Sequence, residues 1–258
     1  MRRRVLIPIL IALLALGGGA ASNATTVQQE GVVVTFNAGF TPRDLPRDRP
    51  APVSVEVEGK VRTADGSHPP ALRSLEIELN RNGRLDSDGL AVCRASTLQS
   101  TSTRIALARC GRARVGSGSF QALVTLDREI ETSGEIVAFN SRLQGKEALL
   151  LHLFAGTPVR FTLVVPLKIG HRKEGEFGTV LRAKIPKLAG GLGSVTEIDL
   201  TVGRRYSSHG ERRSYVSAAC EAPAHLPGGV FHFARASFRF EDHRQINPPP
   251  LLEGCSVR

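Results

Sequence analysis

The chain has 258 residues, 34 basic against 24 acidic side chains and a formal charge of +10, with 11 Phe, 2 Tyr and no Trp. That length holds one large all-β domain or two small ones, with a core that needs neither metal nor many disulfides. At 41% hydrophobic and 22% charged it is too apolar for bulk disorder, and the missing Trp speaks against a sugar-stacking surface or an aromatic cage.

Residues 1–24 read as a cleavable export signal. Arg2, Arg3 and Arg4 form a positive start, residues 5–16 are apolar, and small or polar residues follow up to Ala24. Cleavage is expected after Ala24, with Ala21 as the alternative. The apolar run is shorter than the roughly 20 residues that span a bilayer. Losing three arginines takes the charge from +10 to +7 in a chain expected outside the cell or in its envelope.

Residues 25–52 read as an N-terminal strand and a Pro-rich linker, and 53–258 as a single domain. Period-2 alternation dominates that domain. Val53, Val55 and Val57 alternate with Ser54, Glu56 and Glu58, and Leu75, Ile77 and Leu79 with Glu76 and Glu78. Odd positions from 159 to 169 are apolar, with Arg160, Thr162 and Lys168 between them; Ile198, Leu200 and Val202 alternate with Glu197, Asp199 and Thr201. Such segments are half-buried strands with one wet face. The nearly continuous apolar run 149–154 suits a central strand. Phe231 and Phe233 are odd whereas Phe238 and Phe240 are even, so a bulge or turn is expected between Ala234 and Ser237.

Asp65-Gly66, Asn82-Gly83, Ser133-Gly134, Gly190-Gly191 and His209-Gly210 read as hairpin turns. One helix is expected over 96–109, with Leu98, Ile105 and Ala108 on a face and Ser96 or Thr97 as cap. The fold class is therefore all-β: an antiparallel β-sandwich, jelly-roll or Ig-like, of about ten strands with one short helix. Four cysteines in an exported chain make two disulfides with three possible connectivities. Nearest-neighbour pairing, Cys93 with Cys110 and Cys220 with Cys255, is favoured. With no C-x-x-C, neither zinc nor redox chemistry is implied.

Several motifs stand along the chain in a definite order. They are Phe40-Thr41-Pro42, Asp65-Gly66-Ser67-His68-Pro69-Pro70-Ala71-Leu72, Gly89-Leu90-Ala91-Val92-Cys93 and the helix to Cys110. Val115-Gly116-Ser117-Gly118, Ile185-Pro186-Lys187 with its glycine run, and 215–220 follow. In this order they resemble a family of secreted, β-rich bacterial proteins of unknown function, over most of the chain after the signal. The resemblance implies export and a β-rich fold and no activity; the likeness is weakest over 221–254.

No catalytic motif is legible. Glu197-Ile198-Asp199-Leu200 is like the E-x-D-x-E strand of jelly-roll glycoside hydrolases, but Thr201 replaces the third carboxylate. Ser117, between Gly116 and Gly118, lacks G-x-S-x-G spacing. His152 lies in an apolar strand and reads as a core residue, and His68, before Pro69-Pro70, as a turn residue. His171 to Glu174 does not have zincin spacing. Asp86-Ser87-Asp88-Gly89 lacks the acids of an EF-hand at Arg84 and Ala95, and reads as an Asx-type turn. No cofactor or metal is implied.

Charge is more informative. Glu56, Glu58, Glu76 and Glu78 are expected on the outside of a first hairpin, and Arg160, Lys168, Arg182 and Lys184 outside a later one. Arg172 and Lys173 fall at one loop tip, and Arg204, Arg205, Arg212 and Arg213 around His209-Gly210. With 28 arginines to 6 lysines, planar anions are suitable partners. The expectation is an exported, non-enzymatic binding or structural protein whose six tip cations meet an anionic cell-wall polymer or membrane surface, and not nucleic acid. The alternative is a secreted hydrolase with histidine and carboxylates brought together by the fold.

Overall fold

A computed structural model describes residues 24–258; the expected export signal lies almost wholly outside them. In chain order the elements are β1 (Thr25–Gln29), β2 (Val32–Thr41), β3 (Asp44–Leu45), β4 (Ala51–Pro52), β5 (Ser54–Thr63), β6 (Leu72–Asn80) and β7 (Gly83–Leu85). Two helices follow, α1 (Ala95–Leu98) and α2 (Thr103–Cys110), then β8 (Arg114–Thr125), β9 (Glu129–Leu143), β10 (Lys146–Ala155), β11 (Phe161–His171), β12 (Phe177–Lys184) and β13 (Gly193–Val202). The chain ends with β14 (Arg205–Ser208), β15 (Glu211–Ser214), β16 (Val216–Ala218), β17 (Gly228–Phe240), β18 (Gln245–Ile246) and β19 (Leu251–Val257).

The fold is all-β, but with nearly twice the expected strands, because pieces of two to four residues are too short to alternate visibly. One large sheet runs β1-β2-β5-β13-β8-β9-β10-β11-β12-β6-β17-β19-β3, with β18 beside β17. Its pairs are antiparallel except β19 with β3. The sheet curls into a sandwich: the Phe36 ring on β2 lies 6.0 Å from that of Phe238 on β17, far apart in strand order. Phe120 on β8 and Phe161 on β11 similarly approach to 5.6 Å.

Several local expectations are corrected. Strands β5 and β6 do not form a hairpin; β5 lies between β2 and β13, and β6 between β12 and β17. Either strand has one apolar and one wet face, so alternation alone cannot choose the partner. Glu78 is buried, held between Arg172 and Arg235. Ser133-Gly134 sits within β9, where a Cβ on Gly134 would strike the Phe154 carbonyl and the Phe120 ring. The β9–β10 turn is instead Gln144-Gly145. The stretch read as a linker is docked, with β3 on β19 and β4 on β16.

The expected helix is two helices, and the cap is Ser102, whose Oγ accepts from the Ile105 amide at 3.5 Å. The parity change in the Phe-rich strand occurs earlier than expected. Strand β17 slips against β19 between His232 and Ala234, so that Phe233, Ala234, Ala236, Phe238 and Phe240 are all buried. Both disulfides join nearest neighbours, with Cα separations of 5.5 Å for Cys93–Cys110 and 5.8 Å for Cys220–Cys255. Cys93–Cys110 ties the helix segment over the outer face of β9 and β10, where Leu98, Ala106, Phe139 and Leu150 form a second core. That burial of both faces explains the continuous apolar run 149–154.

Candidate functional site

Curling leaves an apolar space inside. A cavity of about 170 Å³ is walled mainly by alternate residues of β5, β6, β10, β11, β12 and β13, among them Val57, Ile77, Leu151, Val165, Leu181 and Leu200, with Phe36 and Phe238 also against it. Period 2 makes this wall: each strand turns every second side chain inward, and those positions are aliphatic almost throughout. At one end the lining turns polar. Arg73, paired with Glu241 at 3.2 Å, stands there with Lys187 and Glu197. This mouth is framed by the segment leading into β6 and by the connection from β12 to β13. In that connection Ala189, Gly190 and Gly191 all take left-handed φ values of 48°, 72° and 110°. Glycine carries the second and third without a Cβ penalty.

The two rims of the mouth are tied by side chains distant in sequence. His68 Nδ1 lies 2.8 Å from Glu129 Oε2, and its Nε2 lies 3.1 Å from Ser194 Oγ. The Ser194 hydroxyl also reaches the Pro69 carbonyl at 2.9 Å, and Thr125 Oγ1 lies 3.4 Å from Nδ1. Ser194 is buried at the start of β13; its register partner is Leu123 on β8, so its side chain lies on the outer face, while Gly193 and Val195 face the core opposite Val124 and Ala122. A proton on Nδ1 is favoured by the carboxylate against it, and that tautomer turns the Nε2 lone pair toward the serine. On the outer face, a polar groove of about 660 Å³ borders the same turn, reaching from Ser67 and Pro69 to Glu131 and Thr196.

Of the seven histidines, sequence reading singled out His68 but gave it only a turn role. Ser194 and Glu129 went unnoticed, since 126 and 61 residues separate them from His68 and no local motif marks them. His152 is a core residue, fully buried beneath the helices, with Nε2 3.0 Å from the Thr101 carbonyl. Desolvation pushes its pKa below the ordinary value, the hydrogen bond to Thr101 opposing.

The six tip cations divide evenly. Arg172 pairs with Glu78 and, at 3.6 Å, with Glu76. Arg213 pairs with Asp88 at 2.9 Å, Glu211 at 3.3 Å and Asp86 at 3.4 Å. Arg204 is spent on backbone, donating to the Arg112 and Arg114 carbonyls at 2.7 Å each. Lys173, Arg205 and Arg212 make no ion pair among the described residues.

The two tips are nonetheless connected: Glu147 meets His171 at 3.4 Å and Ser87 at 2.8 Å, and the Ser87 loop carries the Arg213 partners Asp86 and Asp88. Those two carboxylates thus face an arginine, and Asp86 Oδ1 accepts from the Asp88 amide at 2.9 Å in an Asx turn. Glu197 of the hydrolase-like strand pairs with Lys60 at 2.9 Å.

The chain matches no protein-family model, no curated protein and no solved structure. Two of the motif segments quoted above, 65–72 and the glycine run after Lys187, frame the mouth.

Proposed function

We propose that the protein is an exported binding protein that holds an aliphatic chain inside its curled sheet. One observation carries this reading: the cavity is lined mainly by aliphatic side chains, and its charged lining residues, Arg73, Lys187, Glu197 and Glu241, stand at the mouth. Apolar pockets with a few polar groups at one end bind by burying an apolar body and orienting a polar tip. The volume of about 170 Å³ matches engineered cavities of about 150 Å³ that stay dry and take benzene. It therefore suits a short chain or the end of a longer one, with the polar end beside Arg73 and Lys187. Export is supported by the two disulfides, which persist in oxidising compartments, together with the signal-like first 24 residues.

Calorimetric titration with a series of straight-chain carboxylates and alcohols tests this. Ala183→Leu, which adds a branched side chain to the cavity wall, is expected to weaken binding at least about tenfold, or 1.4 kcal/mol, with the far-ultraviolet spectrum unchanged. Equal affinity in the two proteins, or no binding by either, overturns the reading.

A second reading, contact with an anionic polymer or membrane surface, is favoured by the linkage of the two basic tips through Glu147 and the Ser87 loop. The unpaired cations Lys173, Arg205 and Arg212 carry it, and the other three hold the tips in shape. Changing those three residues together to Gln is expected to lower retention on an immobilised polyanion at low salt. Unchanged retention overturns it.

A further inference from the structure

We propose that copies of this chain assemble head to tail, the acidic outer face of β5, β13, β8 and β9 on one copy seating against the basic outer face of β11, β12, β6 and β17 on the next. The inference goes beyond the binding reading above and does not depend on what the cavity holds.

Register builds both faces. Asp199 on β13 stands opposite Ser119 on β8, and Ser119 opposite Glu135 on β9. Glu58 on β5 extends this row beside Asp199, and Glu56 lies two residues along β5. On the basic face Lys184 on β12 stands opposite Ser74 on β6, and Ser74 opposite Arg239 on β17. Lys168 on β11 and Arg182 on β12 face each other in the next row. One row thus reads anion–serine–anion and the other cation–serine–cation. Both span two strand separations, about 10 Å. Laid together, they bring each charge against its opposite and serine against serine.

The two faces look away from each other. Leu200 on β13 and Val57 on β5 line the same cavity as Ala183 on β12, Leu75 on β6 and Phe238 on β17. Their sequence neighbours Asp199, Glu58, Lys184, Ser74 and Arg239 therefore turn outward on opposite sides. The four charged ones are exposed, as is Glu135.

Within one copy these charges go unmatched. Asp199, Glu135, Lys168 and Lys184 have no ion-pair partner among the described residues. Glu58 takes only the Asn37 amide at 3.2 Å, and Arg239 reaches only Gln245 at 3.1 Å. Glu58 stands directly opposite Asp199, and Lys168 opposite Arg182; like charges so placed destabilise a sheet. Glu76 relieves Arg182 at 2.7 Å, but no cation of the same copy relieves Glu58 and Asp199. The basic row of a second copy does. The Ser119 and Ser74 side chains also make no hydrogen bond among the described residues.

Unlike faces make the contact heterologous, and their placement on opposite sides keeps it from closing, so copies add in an open row. Exposed ion pairs contribute little singly. The contact therefore needs the whole row and weakens as salt screens it.

Sedimentation velocity of the protein expressed from its full sequence tests this. At low salt the mean mass should rise with concentration without levelling off at two copies. It should return to one copy at about 1 M salt, where charges are screened beyond about 3 Å. Asp199→Lys with Glu135→Lys, and separately Lys184→Glu with Arg239→Glu, should each need at least about tenfold more protein to reach the parent's mean mass, or 1.4 kcal/mol. All four side chains are exposed, so the far-ultraviolet spectrum should not change. Mixing the two variants should restore the parent's mean mass, because each then meets faces of opposite charge; a folding defect is not repaired by mixing. A parent that stays a single copy at every concentration, a mass that stops at two copies, or variants that assemble like the parent overturn the proposal. A single-copy parent held on an immobilised polyanion, with retention lost in Lys184→Glu with Arg239→Glu, overturns it too and gives the basic face to an anionic polymer.

Discussion

Leu150 and Leu151 are adjacent on β10, yet they enter two differently built interiors. Leu150 faces outward, where α1 and α2 close over it with Leu98, Ala106 and Phe139, and the Cys93–Cys110 bridge holds the cover down. Leu151 faces inward with Leu149 and Leu153 into the space of about 170 Å³. Side chains of the same kind thus fill one side and line a void on the other. By the about 24 cal/mol per Å³ found for engineered cavities, such a void costs on the order of 4 kcal/mol. That is a large share of the stability of a typical domain. The contrast teaches that loose packing here is local and one-sided. A cover of only two short helices suffices where its job is to fill space; the long strands leave space where they wrap around it.

The largest expected effect separates the two sides directly. Leu150→Ala should cost about 4 kcal/mol, since a filled region cannot collapse around the loss, and Leu151→Ala about 2 kcal/mol, since its neighbours already border empty space. Urea denaturation of both variants checks this, and titration with longer carboxylates should show tighter binding for Leu151→Ala only. Equal losses would break the distinction between the faces.

The smaller effect concerns His152, on the helix side. Its folded pKa is depressed by burial, so the unfolded chain takes the proton first as pH falls below about 6.5. Stability is therefore complete above that pH and lost as pH falls toward the folded value, by at most about 1.4 kcal/mol per pH unit. Urea midpoints followed from neutral to acid pH should fall less steeply in His152→Leu than in the parent chain. Identical slopes would mean that the helix cover opens to solvent, as the cavity mouth does.

How far the sequence could be read depends on whether a feature is local. Alternation in β5, β11 and β13 was visible because one-sided burial imposes period 2 on each strand separately. The run 149–154 was visible because two-sided burial erases the period, and the cysteine pairs because each closes a short segment. The strand partners of β5 and β6 were not, since any wet-faced strand offers the same ladder to many neighbours. Ser133-Gly134 reads as a turn although Gly134 serves close approach within β9. Among the candidate residues, the basic tips were legible as charge runs, but not that Arg172, Arg204 and Arg213 spend their charge on the protein itself. The Ser194–His68–Glu129 contact joins three elements through side chains whose sequence neighbours carry no sign of it.

By itself, then, the sequence determined the class of fold and which face of each long strand is apolar, because these follow from spacing along the chain; it favoured the disulfide pairing that the structure shows. Only the tertiary structure decided that the sheet curls, that its inner face is left partly empty, and that a serine, a histidine and a glutamate meet on its outer face. Curling is set by the accumulated twist and pairing of many strands, and no local stretch of residues specifies that sum.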